Sequence, residues 1–237
     1  MPEKAPPFLQ KGELWLSFFA AIFDVDGTLL DSMHLWDHVG EEYLKRKGRT
    51  AKPDMQERVR TMSMSQIAKY CREEYGIEDA PEQIIDEING MVEEKYRTQV
   101  LAKDGVRELL QWMHQRGIKM AVATASDRCL IEPALEKNGL LSYFDQFLTC
   151  SEVGAGKDSP KIFLEGCRRL GAIPSETVVF EDSLYAMKTA AKAGFQIAAV
   201  YDDSALDEQE EIRKVADWYF PKGRKIWADF DQLSQRK

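Results

Sequence analysis

Phe23-Asp24-Val25-Asp26-Gly27-Thr28-Leu29-Leu30-Asp31-Ser32 continues the apolar run Ala20-Ala21-Ile22-Phe23 and sets two carboxylates and a turn at its end. An apolar run that stops at an acid and is followed by glycine reads as a buried strand delivering its end to a polar crevice. Side chains on a strand alternate with period two, so Asp24 and Asp26 leave the backbone on one side while Val25 points into packing. Two acids at that spacing repel each other. A cation on one keeps it ionised while its neighbour holds a proton, which separates a nucleophile from a general acid/base. A calcium loop fails on spacing: the EF-hand pattern needs glycine sixth, after a third oxygen ligand, whereas Gly27 comes fourth and Leu29-Leu30 follow.

Three later segments carry further polar groups at the ends of apolar runs. Ile118 to Ser126 (IKMAVATAS) is a β-rich run ending in small hydroxylated residues, where the Thr124 hydroxyl can donate to an anionic oxygen or cap a helix. Gly156 to Phe163 (GKDSPKIF) places Lys157 before a helix that Ser159 caps and Pro160 opens, so a solvated surface lysine is its plain reading. A nucleotide P-loop is excluded there, because the spaced upstream glycine is missing and Asp158 stands where Ser or Thr is needed. Thr177 to Ser183 (TVVFEDS) ends an apolar strand in Glu181 and Asp182; favourable charge at a helix N-terminus is one use, a strand-end crevice the other.

In this order the four segments resemble the four motifs of the haloacid dehalogenase superfamily, over roughly residues 20 to 221. The helical residues between the first two motifs resemble the β-phosphoglucomutase-like branch with its inserted cap. The third motif departs from the branch pattern Lys-Pro-x-Pro-Asp-Ile-Phe at Asp158 and Lys161. The resemblance implies that Asp24 attacks phosphorus, Asp26 moves protons, and Thr124 and Lys157 bind the phosphoryl group. It implies Mg2+ held by Asp24, the main-chain carbonyl of Asp26 and Asp182, with Glu181 as ligand or support. Four acids facing a phosphate monoester make a self-repelling pocket unless cations enter, and magnesium with its preference for oxygen ligands suits that need. Mutases of the branch carry a His twelve residues after the nucleophile, where this chain has Trp36, and a Gly-x-Ser-Arg stretch where this chain has Arg60 to Ser65. The expectation is a phosphoric monoester hydrolase acting on a small phosphorylated metabolite through an aspartyl phosphate. A sugar-phosphate mutase is the alternative, and a non-catalytic phospho-ligand-binding or receiver-like protein stands behind it.

The rest of the chain sets the context. At 237 residues it is longer than one average domain and shorter than two. Leu35, Trp36, Val39, Tyr43 and Leu44, and again Ile84, Ile85, Ile88, Met91 and Val92 behind Pro81, have helical spacing. Residues 33–101 therefore read as a helical cap, 18–32 and 102–237 as an α/β catalytic core, and 1–17 as an N-terminal extension. Strands at 147–149, 178–180 and 197–200 alternate with helices at 128–138, 160–170 and 184–193. The fold class is α/β: a doubly wound parallel sheet with a small all-helical cap inserted after the first strand. Asp202 to Glu211 reads as a solvated acidic stretch.

Lys and Arg number 32 against 40 Asp and Glu, which argues against nucleic-acid binding and offers no polybasic membrane anchor. The apolar run Leu14 to Phe23 is shorter than the ~20 residues of a spanning helix. Cys71, Cys129, Cys150 and Cys167 have neither zinc nor redox-pair spacing and read as reduced thiols packed as small hydrophobes in a cytoplasmic protein. Monomer and weak dimer both stay open.

Overall fold

The computed structural model describes residues 18–60 and 62–223, so the expected extension at 1–17 lies outside the described residues. Six strands, β1 (Ala20–Phe23), β2 (Lys119–Thr124), β3 (Gln146–Thr149), β4 (Thr177–Glu181), β5 (Gln196–Val200) and β6 (Trp218–Phe220), form one sheet in the order β3-β2-β1-β4-β5-β6. Every pairing is parallel, and Ile22 of β1 faces Ala121 of β2 on one side and Val179 of β4 on the other. The chain winds outward from β1 in both directions. Such a switch point opens a crevice beyond the strand C-termini, here at Asp24, Thr124 and Glu181.

Strands buried on both faces explain the near-continuous apolar runs. Phe23, Val122, Val178 and Phe180 pack on one face and Ile22, Ala121, Val179 and Ile197 on the other. Phe23 and Phe180 stack across the first face with centroids 4.4 Å apart.

Between β1 and β2 the chain makes a 3-10 turn (Met33–Leu35) and helices α1 (Val39–Arg46), α2 (Met55–Val59), α3 (Met64–Tyr75) and α4 (Pro81–Thr98). Pro81 opens α4 where its missing N–H costs nothing. Ser63 and Gln66 cap α3 reciprocally, and Gly76 closes it at φ +63. Exit and return run side by side: Asp31 N–H donates to Leu101 O and Lys103 N–H to Leu29 O, both at 2.9 Å. Tyr43, Leu44, Ile84, Ile88 and Tyr96 are buried in the same apolar cluster as Phe23 and Phe180, so the insert shares a core with the sheet.

The remaining helices are α5 (Val106–Gln115), α6 (Arg128–Lys137), α7 (Cys150–Val153), α8 (Lys161–Leu170), α9 (Leu184–Lys192) and α10 (Gln209–Val215). Two readings change. Asp202 to Glu211 is structured: Asp202 is buried against Lys103 at 2.7 Å and accepts from Ser204 N–H at 2.9 Å, a 3-10 helix spans Asp203–Glu208, and α10 follows with Ile212 buried. Cys129 is exposed at the start of α6, while the other three cysteines are buried thiols.

Candidate active site

The carboxylates at the end of β1 are held by backbone. Asp24 N–H donates to Phe180 O at 2.9 Å, tying the end of β1 to β4. The N–H groups of Leu29 and Leu30 both donate to Val25 O at 2.9 Å, curling the loop under Asp26. Gly27 makes the turn at φ +82, and a Cβ there would lie 2.6 Å from Asp182 Oδ2. Only glycine combines that backbone with that approach.

Lys157 is 3% exposed, which rules out its reading as a solvated surface lysine. Its ammonium donates to Asp24 Oδ1 and, at 2.6 Å, to Glu181 Oε1. Burial alone would lower the Lys157 pKa, but the Asp24 and Glu181 carboxylates more than offset it and hold the group well above its ordinary value. Glu181 Oε2 accepts from the N–H groups of Asp182 and Ser183, both at 3.0 Å, so both its oxygens are committed within the protein. Asp24 is pushed up to about 7: burial dominates, Lys157 opposes it, and Glu181 and Asp26 add to it. Asp182 is raised well above the ordinary range by burial, then by Glu181 and Asp24. Among the described residues its carboxylate has only long contacts, from Thr28 Oγ1 and Ser183 Oγ at 3.4 Å each.

Asp24, Glu181 and Asp182 each offer a carboxylate oxygen within 4.8 Å of the others. Buried, mutually repelling and with Asp182 poorly partnered, this all-oxygen set fits a hard divalent cation. The Asp26 side chain belongs to a separate network.

That network is built of hydroxyls. Ser32 Oγ donates to Asp26 Oδ1 at 2.6 Å, Tyr96 Oη to the same oxygen at 2.5 Å, and Ser126 Oγ to Oδ2 at 2.6 Å. Trp36 Nε1 donates to Tyr96 Oη at 2.6 Å. Burial, then the Asp26 charge, keeps the Tyr96 phenol well above its ordinary pKa and therefore protonated. Thr124 is fully buried at the end of β2, where its Oγ1 accepts from Ser126 N–H at 3.1 Å and keeps its own proton free to donate. Ser126, two residues on, is the hydroxyl that touches Asp26. Ser32 and Ser126 lie within the quoted motifs, but Tyr96 carries no local signal: it meets Asp26 across seventy residues of chain.

Asp24, Asp26, Ser126, Lys157, Glu181 and Asp182 line a cavity of about 450 Å³ whose wall is completed by residues of the insert, while Ser32, Tyr96 and Thr124 lie behind the lining. The insert also touches the core through side chains: Asn89 on α4 donates to Asp127 Oδ2 at 2.9 Å, and Arg60 pairs with Glu208 at 2.7 Å.

Residues 21–200 match the model of the haloacid dehalogenase-like hydrolase family. The phosphorylated carbohydrates phosphatase of Thermotoga maritima is 28% identical over 201 residues, covering 83% of this chain and 93% of that protein. Hexitol phosphatase B of Escherichia coli K12 is 30% identical over 178 residues, 71% of this chain and 77% of that protein. In three dimensions the chain is similar to CbbY of Rhodobacter sphaeroides, solved with phosphate, at a TM-score of 0.73 and 24% identity, covering 86% of this chain and 93% of that one. β-Phosphoglucomutase from Clostridium difficile superposes at a TM-score of 0.73 with 18% identity, over 92% and 96% of the two chains. The parallel sheet, the acids at its strand ends and the family match over residues 21–200 lead to one conclusion: the chain belongs to the haloacid dehalogenase-like hydrolases.

Proposed function

We propose that this chain is a magnesium-dependent phosphatase of a small phosphorylated molecule, with Asp24 as nucleophile and Asp26 as proton carrier. The observation that carries it is Asp24 itself: buried at the switch point, bonded to Lys157, and beside Asp182 at the charged end of a cavity. Relatives named for phosphorylated carbohydrates and hexitols support the reaction class.

An Asp24 oxygen attacks phosphorus, the bond from phosphorus to the ester oxygen breaks, and Asp26 gives its proton to the departing alcohol. Asp26 then takes a proton from water, the resulting hydroxide attacks the aspartyl phosphate, and the bond between phosphorus and Asp24 breaks to free phosphate. Lys157 and the Thr124 hydroxyl donate to phosphoryl oxygens while Glu181 holds Lys157 in place. Asp24, Asp182 and the Asp26 carbonyl would hold Mg2+, with Glu181 supporting them; when bound, the ion neutralises charge between the attacking carboxylate and the phosphoryl oxygens. Residues 33–101 act as the cap that excludes water from a core made of 18–32 and 102–237. Hydrolysis fits better than mutase chemistry because Trp36, at the mutase His position, is a donor committed to Tyr96 and accepts no proton.

Asp24→Asn tests the scheme. Loss of the nucleophile should lower kcat at least ~10³-fold, read as phosphate release with excess magnesium, and chelator should do the same to the native enzyme. Activity of Asp24→Asn at the native level removes the covalent mechanism.

A further inference from the structure

We propose that the ester hydrolysed here carries a largely apolar alcohol rather than a polyol, a reading that rests on the phosphatase assignment above. The charged end of the cavity accounts for the phosphoryl group and leaves the far wall to receive the alcohol. That wall presents Met55, Met62, Met64, Ile67 and Ile88. Met55, Met64 and Ile88 are 3%, 3% and 2% exposed, so packing fixes the apolar surface in place. The polar residues the insert adds, Asp37, Gln56, Glu57 and Arg60, are all exposed, and Arg60 is already paired with Glu208.

A polyol bound against thioether and alkyl groups would surrender its hydroxyls' bonds to water without replacement, and each unmet hydroxyl weakens binding. An apolar alcohol gains from the same contact, and unbranched, polarisable methionines adapt to its shape. A pocket that recognises a polyol needs several convergent polar groups instead. The carbohydrate and hexitol phosphatases that resemble this chain thus share its chemistry but not its leaving group.

The test compares kcat/KM for cyclohexylmethyl phosphate and a hexitol 6-phosphate, both primary alkyl esters, with p-nitrophenyl phosphate as a check that the protein hydrolyses phosphate esters at all. The polyol is the more acidic alcohol and the better leaving group, so a preference for the apolar ester has to come from binding. The apolar ester should be favoured at least tenfold, and Met62→Gln should narrow that ratio at least threefold. The ratio is independent of how much of the variant folds. Equal or better turnover of the hexitol ester overturns the inference, as does a ratio that Met62→Gln leaves unchanged. Phosphate release from p-nitrophenyl phosphate in those cases keeps the phosphatase reading intact; no release from any ester removes both.

Discussion

An indole N–H donates and cannot accept, so Trp36 decides which way the Tyr96 hydroxyl points. With Trp36 donating to its oxygen, Tyr96 has its own proton left for Asp26 Oδ1. Ser32 and Ser126 can rotate to donate or accept, but Tyr96 cannot. A proton on Asp26 therefore belongs on Oδ2, the oxygen facing Ser126, which lines the cavity. Tyr96→Phe frees Oδ1 to take that proton on the wrong side. We expect kcat/KM for an alkyl phosphate to fall ~10-fold, toward the low end of general-acid effects. For p-nitrophenyl phosphate, whose leaving group needs no protonation, the fall should stay below about threefold. Equal losses on both esters would mean that Tyr96 serves only packing. Gly27 makes a second case at this scale. Gly27→Ala forces an L residue to φ +82 and drives its Cβ onto the Asp182 carboxylate, so it should cost at least ~2 kcal/mol in urea unfolding as well as most of the activity.

Elements were legible where an apolar run ended at a polar residue. β2 and β4 finish in the hydroxyl and the acid that mark them, β1 ends one residue before Asp24, and α6, α8 and α9 fall within about a residue of the ranges read from periodicity. That also made Asp24, Glu181 and Asp182 readable, since each sits at or just past a strand end, whereas Lys157, four residues before α8, reads from its neighbours as a surface lysine and is marked only by the family resemblance. The insert was harder. Leu35 to Leu44 has continuous helical spacing, yet the chain breaks between a 3-10 turn at Met33–Leu35 and α1, and Trp36 lies in the break with its indole bonded to Tyr96. Ser63, within the stretch set above beside the mutase pattern, forms the capping box of α3 with Gln66. α10 was hidden because its apolar contact, Ile212, stands among charged residues. Ser63→Ala removes the acceptor for Gln66 N–H and should cost about 1 kcal/mol. Amide exchange in the first turn of α3 should then quicken about fivefold if it opens locally, while β1 amides keep their native rates.

At the scale of the whole molecule, folding collects buried acids at one point and leaves their repulsion to be relieved by a cation. The consequence is a pH-dependent stability that the metal should reverse. Asp24 sits at about 7 in the native protein against an ordinary 3.8, so between those values the native state keeps a proton that the unfolded chain has lost. Stability of the metal-free protein should therefore fall as pH rises from about 4 to about 7. Asp182, raised by the same burial and the same neighbours, acts in the same direction. On the proposed function magnesium would need the deprotonated carboxylates of the folded arrangement, so it should stabilise most where the bare site is least stable. At a magnesium concentration of about 100 times its dissociation constant, binding contributes ~2.7 kcal/mol. For a chain of this length that raises the melting temperature by roughly 5–10 °C. The rise should appear at pH 8 and shrink below roughly 2 °C at pH 5, where Asp24 holds its proton. Scans with magnesium and with chelator at both pH values decide the matter, and Asp182→Asn should abolish the pH 8 gain. A shift of the same size at pH 5 and pH 8 would place the ion somewhere other than the Asp24–Asp182 cluster.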